Sequence, residues 1–157
     1  MTTSILFVCL GNICRSPSAE GVVRAKASAR GMDLRLDSAG TGDWHVGKPP
    51  YPPMIAAAAS RGYDLTDLRA RQVSRADFDR FDLIVAMDDE NLSDLRALRP
   101  GSGGAALIGF TDVVAGDHPG HVPDPYFTRD FDGALDLVER AADGLLDRIA
   151  AGEGFGA

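Results

Sequence analysis

The apolar positions of this chain fall into two rhythms, short runs that suit strands and longer stretches with a three-to-four-residue repeat that suit helices. Ile5, Leu6, Phe7 and Val8 form an unbroken apolar run, which predicts a short buried strand. From Pro17 to about Arg30, Ala19, Val22, Val23, Ala25, Ala27 and Ala29 recur among Arg24, Lys26 and Arg30, and the pattern stops at Gly31. This predicts a helix with Ser16 as its N-cap and Pro17 at its first position. Asp33 to Ala39 alternates apolar and polar residues and predicts a second strand. Strand, loop, helix and strand in that order make a βαβ unit with parallel strands.

Gly40 to Pro53 reads as a loop rich in glycine and proline that carries the single tryptophan, Trp44. Met54 to Arg61 predicts an alanine-rich helix ending at Gly62, and Ser74 to Arg80 a short helix capped by Ser74. Leu83 to Met87 is continuously apolar, as a strand buried on both faces requires. Asp88 is placed to cap a helix running to about Leu98; capping explains the acidic residues at 88 to 90 better than a metal cluster does. Gly101 to Gly104 is a flexible connection and Ala105 to Phe110 a fourth strand. Asp112 to Tyr126 reads as a long loop, Phe131 to Ala151 as a long amphipathic helix, and Gly152 to Ala157 as a fraying end. Strands alternating with helices predict a doubly wound α/β three-layer sandwich with a four-stranded parallel sheet, folded as one domain over residues 1–157.

In such sheets ligands bind beyond the C-terminal ends of the strands. The loop after the first strand lies there: Leu10, Gly11, Asn12, Ile13, Cys14, Arg15 and Ser16, preceded by Cys9. It also lies over a helix N-terminus, whose unpaired amides favour an anion. Gly11 and Asn12 both accept a positive φ, so the loop can curl with its amides pointing inward around an oxyanion. Five residues separate Cys9 from Arg15, enough for nearly a full circle with the thiol at the floor and the guanidinium at the rim. Amide dipoles, a helix N-terminus and a fixed cation are the surroundings that make a cysteine a thiolate. Arg15 offers a planar fork that grips two phosphate oxygens, and Ser16 can donate its hydroxyl to the sulfur. The pattern predicts a thiolate that attacks phosphorus, with the phosphate loop holding the equatorial oxygens.

Composition narrows the setting. A net charge of −7 argues against general binding to nucleic acid or to an anionic membrane, so anion recognition must be local. Two cysteines inside one reactive loop are no disulfide framework, and they indicate a reducing compartment. The N-terminal residues have no basic n-region and no long apolar core, and no run approaches membrane-spanning length. A cytoplasmic protein with no membrane partner is expected.

Thiolate attack on a phosphate monoester expels an oxyanion that needs a proton. Asp124, held between Pro123 and Pro125 and followed by Tyr126 and Phe127, is a candidate acid, although Pro-Asp-Pro is equally good turn chemistry. His118 and His121 sit in a Gly/Pro loop without cysteine ligands and read as solvated residues, so no metal is expected.

The residues Val8 to Pro17, Asp37-Ser38-Ala39-Gly40-Thr41, Asp43-Trp44-His45-Val46-Gly47, Arg71-Gln72 and Asp124-Pro125-Tyr126 together resemble the low molecular weight protein-tyrosine phosphatases over nearly the whole chain. The resemblance implies Cys9 as nucleophile, Arg15 as phosphate clamp and Asp124 as general acid. It implies that Asn12, Ser16 and Ser38 form a hydrogen-bond network supporting the loop, and that Leu10, Trp44 and Tyr126 wall the substrate cleft. The substrate it implies is a tyrosine-phosphorylated protein or peptide, with no cofactor and no nucleic acid, and a monomer is expected. The family commonly carries a histidine against carboxylates matching Glu20 and Asp37, where this chain has Leu68. Cys14, in the same loop as Cys9, is a candidate redox partner able to capture an oxidised nucleophile in a disulfide. An arsenate reductase on the same fold would need further cysteines to relay a disulfide outward, and a nucleotide-binding loop would need Gly-Lys-Ser/Thr. A phosphate-binding module without turnover is a third alternative.

Overall fold

The computed structural model describes residues 2–101 and 104–155. The first apolar run lengthens into β1, Thr3–Cys9, and the helix after it is α1, Arg15–Ala29. There follow β2, Leu34–Gly40, α2, Pro52–Ala59, α3, Asp77–Arg80, and β3, Leu83–Ala86. The second half contains α4, Asp89–Leu98, β4, Ala106–Gly109, a 3-10 turn at Phe110–Val113, α5, Pro125–Thr128, and α6, Phe131–Ala150.

The four strands form one parallel sheet in the order β2-β1-β3-β4, with Phe7 opposite Ser38 on one side and Val85 on the other. Successive residues of β1 point to opposite faces, and both faces are covered. Ile5 and Phe7 pack with Val22 and Val23 of α1, Met54 of α2 and Leu135 and Val138 of α6. Leu6 and Val8 pack with Phe78 of α3 and Leu95 of α4. Phe7 is fully buried with its ring 5.5 Å from that of Phe110, so truncating it to alanine would cost about 3–5 kcal/mol. Gly144 lets α6 lie against the 3-10 turn, because a Cβ there would come within 2.0 Å of the Val113 carbonyl oxygen.

Because β2 and β3 flank β1 on opposite sides, the chain reverses its winding between β1 and β3. Connections diverge there and leave a crevice beyond the strands' C-terminal ends. The loop 10–14 leaves β1 into that crevice, and Asp88 follows β3 into the same place.

Several boundaries differ from expectation. α1 begins at Arg15, ahead of Pro17, and its N-cap is Cys14 with no side-chain cap, so Ser16 does not cap it. A capping side chain would occupy amides that an anion could use, and Ser16 points to Cys9 instead. α2 starts at Pro52, since proline suits a first turn where no amide is needed. The serine cap expected at position 74 is inverted: the Ser74 N–H donates to the Asp77 carboxylate at 2.8 Å, and α3 begins only at Asp77. The expected loop 112–126 contains part of the 3-10 turn and the start of α5. The end expected to fray is anchored through residue 155: Arg148 pairs with Glu153 at 3.1 Å and lies over the Phe155 ring at 4.6 Å. Residues 156 and 157 of that end, and 102 and 103 of the expected flexible connection, lie outside the described residues.

Candidate active site

The carbonyls of the loop face outward. Leu10, Ile13 and Cys14 accept hydrogen bonds from the backbone N–H groups of Gly42, Tyr51 and Ser18 at 3.0, 2.8 and 3.2 Å. In a trans peptide the N–H points opposite the carbonyl, so the amides of Gly11, Cys14 and Arg15 turn toward the inside of the curl. The curl turns on Asn12, which takes φ 57°; Gly11, the other candidate, keeps an ordinary φ. Gly40, at the end of β2, packs under the loop, where a Cβ would stand 2.8 Å from the Leu10 carbonyl oxygen.

A directed chain of hydrogen bonds ends on Cys9. Ser38 donates to the buried Glu20 carboxylate at 2.8 Å and therefore accepts from Asn12 Nδ2 at 3.0 Å. The other Nδ2 proton goes to Ser16 Oγ at 2.8 Å, and Asn12 Oδ1 accepts the Arg71 N–H at 3.0 Å, which fixes the amide's orientation. Ser16 thus has its hydroxyl proton for Cys9 Sγ at 3.0 Å, with the Ala39 carbonyl farther away at 3.4 Å. The Asn12 N–H also donates to Sγ at 3.2 Å. Two donors on one sulfur suit a thiolate. Burial raises the Glu20 pKa, opposed by the hydrogen bonds from Arg24 and Ser38.

Arg15 is 4% exposed and is held from two sides. Nη1 donates to Asp88 Oδ2 at 2.7 Å and to the Val122 carbonyl at 3.2 Å, and Nη2 meets Asp124 Oδ2 at 3.4 Å. Burial works against its charge, but Cys9, Asp88 and Asp124 outweigh burial and raise its pKa above the ordinary arginine value. Asp88 performs two tasks, because its Oδ1 caps α4 through the Asn91 N–H at 2.7 Å. Sequence reasoning assigned the cap and missed the ion pair, which no local signal announces.

Asp124 is the N-cap of α5, with Oδ1 accepting the Tyr126 N–H at 3.1 Å. The Asp-Pro pair was the signal for this short helix. Cys9, Leu10, Arg15, Asp124, Trp44 and Tyr126 line one cleft of about 180 Å³, joined by His45 and Phe127, which the sequence did not single out. Trp44 is 66% exposed and Tyr126 43%, while Cys9 is 2% exposed, so the aromatics stand at the rim and the sulfur on the floor. Cys14 lines the same cleft as a free thiol; burial, then the charges of Asp124 and Cys9, push its pKa up to about 12.

Glu20 and Asp37, the carboxylates expected to lack a histidine partner, have arginine partners. Glu20 pairs with Arg24 at 2.7 Å, and Arg71 joins Asp37 at 3.1 Å to the fully buried Asp77 at 3.0 Å. Leu68 packs at the edge of the core instead. Among the described residues no three His, Cys, Asp or Glu side chains come together as a metal site.

Residues 4–153 match the family model of the low molecular weight phosphotyrosine protein phosphatases. The low molecular weight protein-tyrosine-phosphatase of Streptomyces coelicolor is 45% identical over 157 residues, covering 95% of this chain and 94% of its own. YfkJ of Bacillus subtilis, also named a low molecular weight protein-tyrosine-phosphatase, is 40% identical over 148 residues, covering 93% of this chain and 95% of its own. Its crystal structure superposes with a TM-score of 0.93 over 98% of both chains. A Drosophila arginine phosphatase aligns at 30% identity with a TM-score of 0.86 over 92% of this chain and 96% of that one. By sequence, fold and the arrangement of its phosphate loop, this chain belongs to the low molecular weight phosphotyrosine protein phosphatase family.

Proposed function

We propose that the chain hydrolyses phosphotyrosine in proteins and peptides, with Cys9, Arg15 and Asp124 as its catalytic residues. The Cys9 thiolate attacks phosphorus in line with the tyrosine oxygen while the inward amides and Arg15 hold the equatorial oxygens. Arg15 Nη1 is occupied by Asp88 and Val122, so Nη2 and Nε are the donors left for the substrate. A phosphate dianion at Nη2 takes the place of Asp124 Oδ2, leaving the acid beside the leaving oxygen. Asp124 gives that oxygen its proton as the P–O bond breaks and the S–P bond forms. In the second step Asp124 takes a proton from water, whose oxygen attacks the phosphocysteine and releases phosphate and the thiolate. Arg15 and the amide ring balance the charge in both steps.

The observation that carries this reading is the pair of donors on Cys9 Sγ, delivered by the Glu20–Ser38–Asn12–Ser16 chain. The cleft favours an aryl ester: with the sulfur on the floor and Trp44 and Tyr126 at the rim, a serine phosphate is too short to reach. Stacking on those rings would add about 0.5–1.5 kcal/mol for a phenyl group. The two cysteines are free thiols, which suits a reducing cytoplasm, and the chain is taken to act there as a monomer. Turnover of matched phosphotyrosine, phosphoserine and phosphoarginine peptides tests the substrate class, and rapid-quench labelling tests the intermediate. Phosphotyrosine should dominate kcat/KM, with label on Cys9 in wild type and none in Cys9→Ser. A faster phosphoarginine rate would reassign the substrate, and label elsewhere would reject the mechanism.

A further inference from the structure

Only two described residues other than glycine adopt a positive φ, Asn12 at 57° and Arg129 at 62°. Asn12 carries a short amide that suits the left-handed region, whereas Arg129 has no side-chain group that bonds its own backbone. A non-glycine residue in the left-handed region persists where the surrounding structure over-determines it, and at Arg129 that structure includes the contacts of its side chain. The Arg129 N–H closes α5 on the Pro125 carbonyl at 2.9 Å, so its backbone belongs to the turn that Asp124 opens. The guanidinium Nη1 donates to Tyr51 Oη at 2.9 Å and lies 5.3 Å over the Tyr51 ring and 5.2 Å over the Phe131 ring. Tyr51 in turn donates its N–H to the Ile13 carbonyl at 2.8 Å, inside the phosphate loop, and its ring lies 5.2 Å from that of Tyr126.

From these contacts we infer that Arg129 is a positioning residue, clamping Tyr51 and so fixing the Asp124 turn against the phosphate loop. The path runs from Ile13 through the Tyr51 backbone and ring to the Arg129 guanidinium, and back along α5 to Asp124. Each link is a hydrogen bond, a ring contact or covalent chain, and Arg15 meets the path only at its end, where Nη2 faces Asp124 Oδ2. The left-handed φ turns the arginine side chain back from the end of α5 toward Tyr51. The clamp therefore governs proton donation, while phosphate binding depends on the loop itself. This inference rests on Asp124 being the general acid.

The test is kcat/KM, which reports the first chemical step, on aryl phosphates with phenols of graded acidity. It compares wild type with Arg129→Ala, Arg129→Gly, Tyr51→Phe, the Arg129→Ala/Tyr51→Phe double variant and Asp124→Ala, with inhibition by inorganic phosphate measured in parallel. Misplacing an acid costs most where the leaving group most needs a proton. Arg129→Ala should lose about tenfold on the least acidic phenol and less than about twofold on the most acidic, with phosphate inhibition unchanged. Arg129→Gly should match Arg129→Ala even though glycine relieves the strain, and the double variant should lose no more than Arg129→Ala alone. Uniform losses over all phenols, a wild-type rate in Arg129→Gly, additive losses in the double variant, or a change confined to phosphate inhibition would each overturn the clamp. If Asp124→Ala itself shows no leaving-group dependence, the acid has been misassigned and the clamp falls with it; a steep Asp124→Ala with a flat Arg129→Ala overturns the clamp alone.

Discussion

Asp88 and Arg15 stand 73 positions apart in the chain and meet at 2.7 Å, with the arginine 4% exposed. The contact exists because β1 and β3 are neighbours and both release their following residues at the same end of the sheet. One carboxylate thereby ties Arg15, the proposed phosphate clamp, to the N-terminus of α4, since its other oxygen caps that helix. The two tasks can be separated by length: serine caps a helix well but is too short to reach Arg15. Asp88→Ser should keep about 1 kcal/mol more stability than Asp88→Ala in urea unfolding. Both should lose about tenfold in kcat/KM, corresponding to about 1.4 kcal/mol of transition-state stabilisation. Removing a negative charge beside the guanidinium would by itself strengthen anion binding. A gain in phosphate affinity without loss of rate would therefore mean that Asp88 balances charge and does not orient the clamp.

Asp124 leads a different comparison. Asp112 and Asp117 lie in the same stretch of sequence, but Asp112 takes the Gly109 N–H at 2.9 Å, and neither lines the cleft. Asp124→Ala should lower kcat/KM on phenyl phosphate by about 10²–10⁴-fold, with a far smaller loss when the phenol is strongly acidic. Asp112→Ala and Asp117→Ala should remain within about twofold of wild type on both. An equal loss on all esters in Asp124→Ala would remove it as the acid.

What could be read from the chain and what could not divide along physical lines. The strands and α6 were legible because burial on two faces, or on one stripe, imposes a period on consecutive residues. The curled loop was legible because Cys9, Gly11, Asn12, Arg15 and Ser16 are close in sequence and each has a conformational or chemical role there. The Asn12–Ser16–Ser38 support came only from the family resemblance, and the structure extends it to Glu20 and Arg71 through Asn12 and Ser38. Ser16 was legible as a partner of the sulfur, which lies 3.0 Å from its hydroxyl, but misled as a cap, because serine before proline looks like one. Arg71 with Asp37 and Asp77, and Arg129 with Tyr51, were illegible because they depend on which loops meet.

Cys14 carries a pH dependence with a definite sign. Its pKa is pushed up to about 12, chiefly by burial, so it is a protonated thiol at neutral pH and gains thiolate steadily as pH rises. Peroxide converts the Cys9 thiolate to a sulfenic acid; attack by the Cys14 thiolate on that sulfur then forms the S–S bond and expels hydroxide, which leaves as water once protonated. The bridging rate should therefore climb about tenfold per pH unit from neutrality until the thiol titrates. Peroxide-treated wild type should lose activity, recover with dithiothreitol and lack two hydrogens by mass spectrometry. Cys14→Ser should keep its reduced activity and fail to recover. Full recovery in that variant, or no loss of two hydrogens in wild type, would leave Cys14 as packing beneath the loop, and bridging that ignores pH would show that ionisation of Cys14 does not limit the step.

Glu20 sets a second, opposite trade between stability and function. Its pKa is raised from 4.5, first by burial, with the hydrogen bonds from Arg24 and Ser38 pulling the other way. A raised acid binds its proton more tightly when folded than when unfolded. Its contribution to stability is therefore fully present below the unfolded value of 4.5 and is lost as pH rises through the higher folded value. Glu20→Gln cannot titrate, so the stability of wild type relative to Glu20→Gln should fall as pH is raised from acid to neutral in urea unfolding. The carboxylate nevertheless serves the site, because it takes the Ser38 proton and leaves the Ser38 oxygen free to accept from Asn12, whose amide the Arg71 N–H orients. A glutamine can present its amide N–H to Ser38, where it competes with Asn12 Nδ2 for the same oxygen. Glu20→Gln should therefore be slower, by about tenfold in kcat/KM, even at neutral pH, where wild type has lost its stability advantage over the variant. A variant that is as active as wild type would show that the hydrogen-bond direction does not reach the sulfur. A relative stability that stays flat with pH would show that burial does not raise the Glu20 pKa.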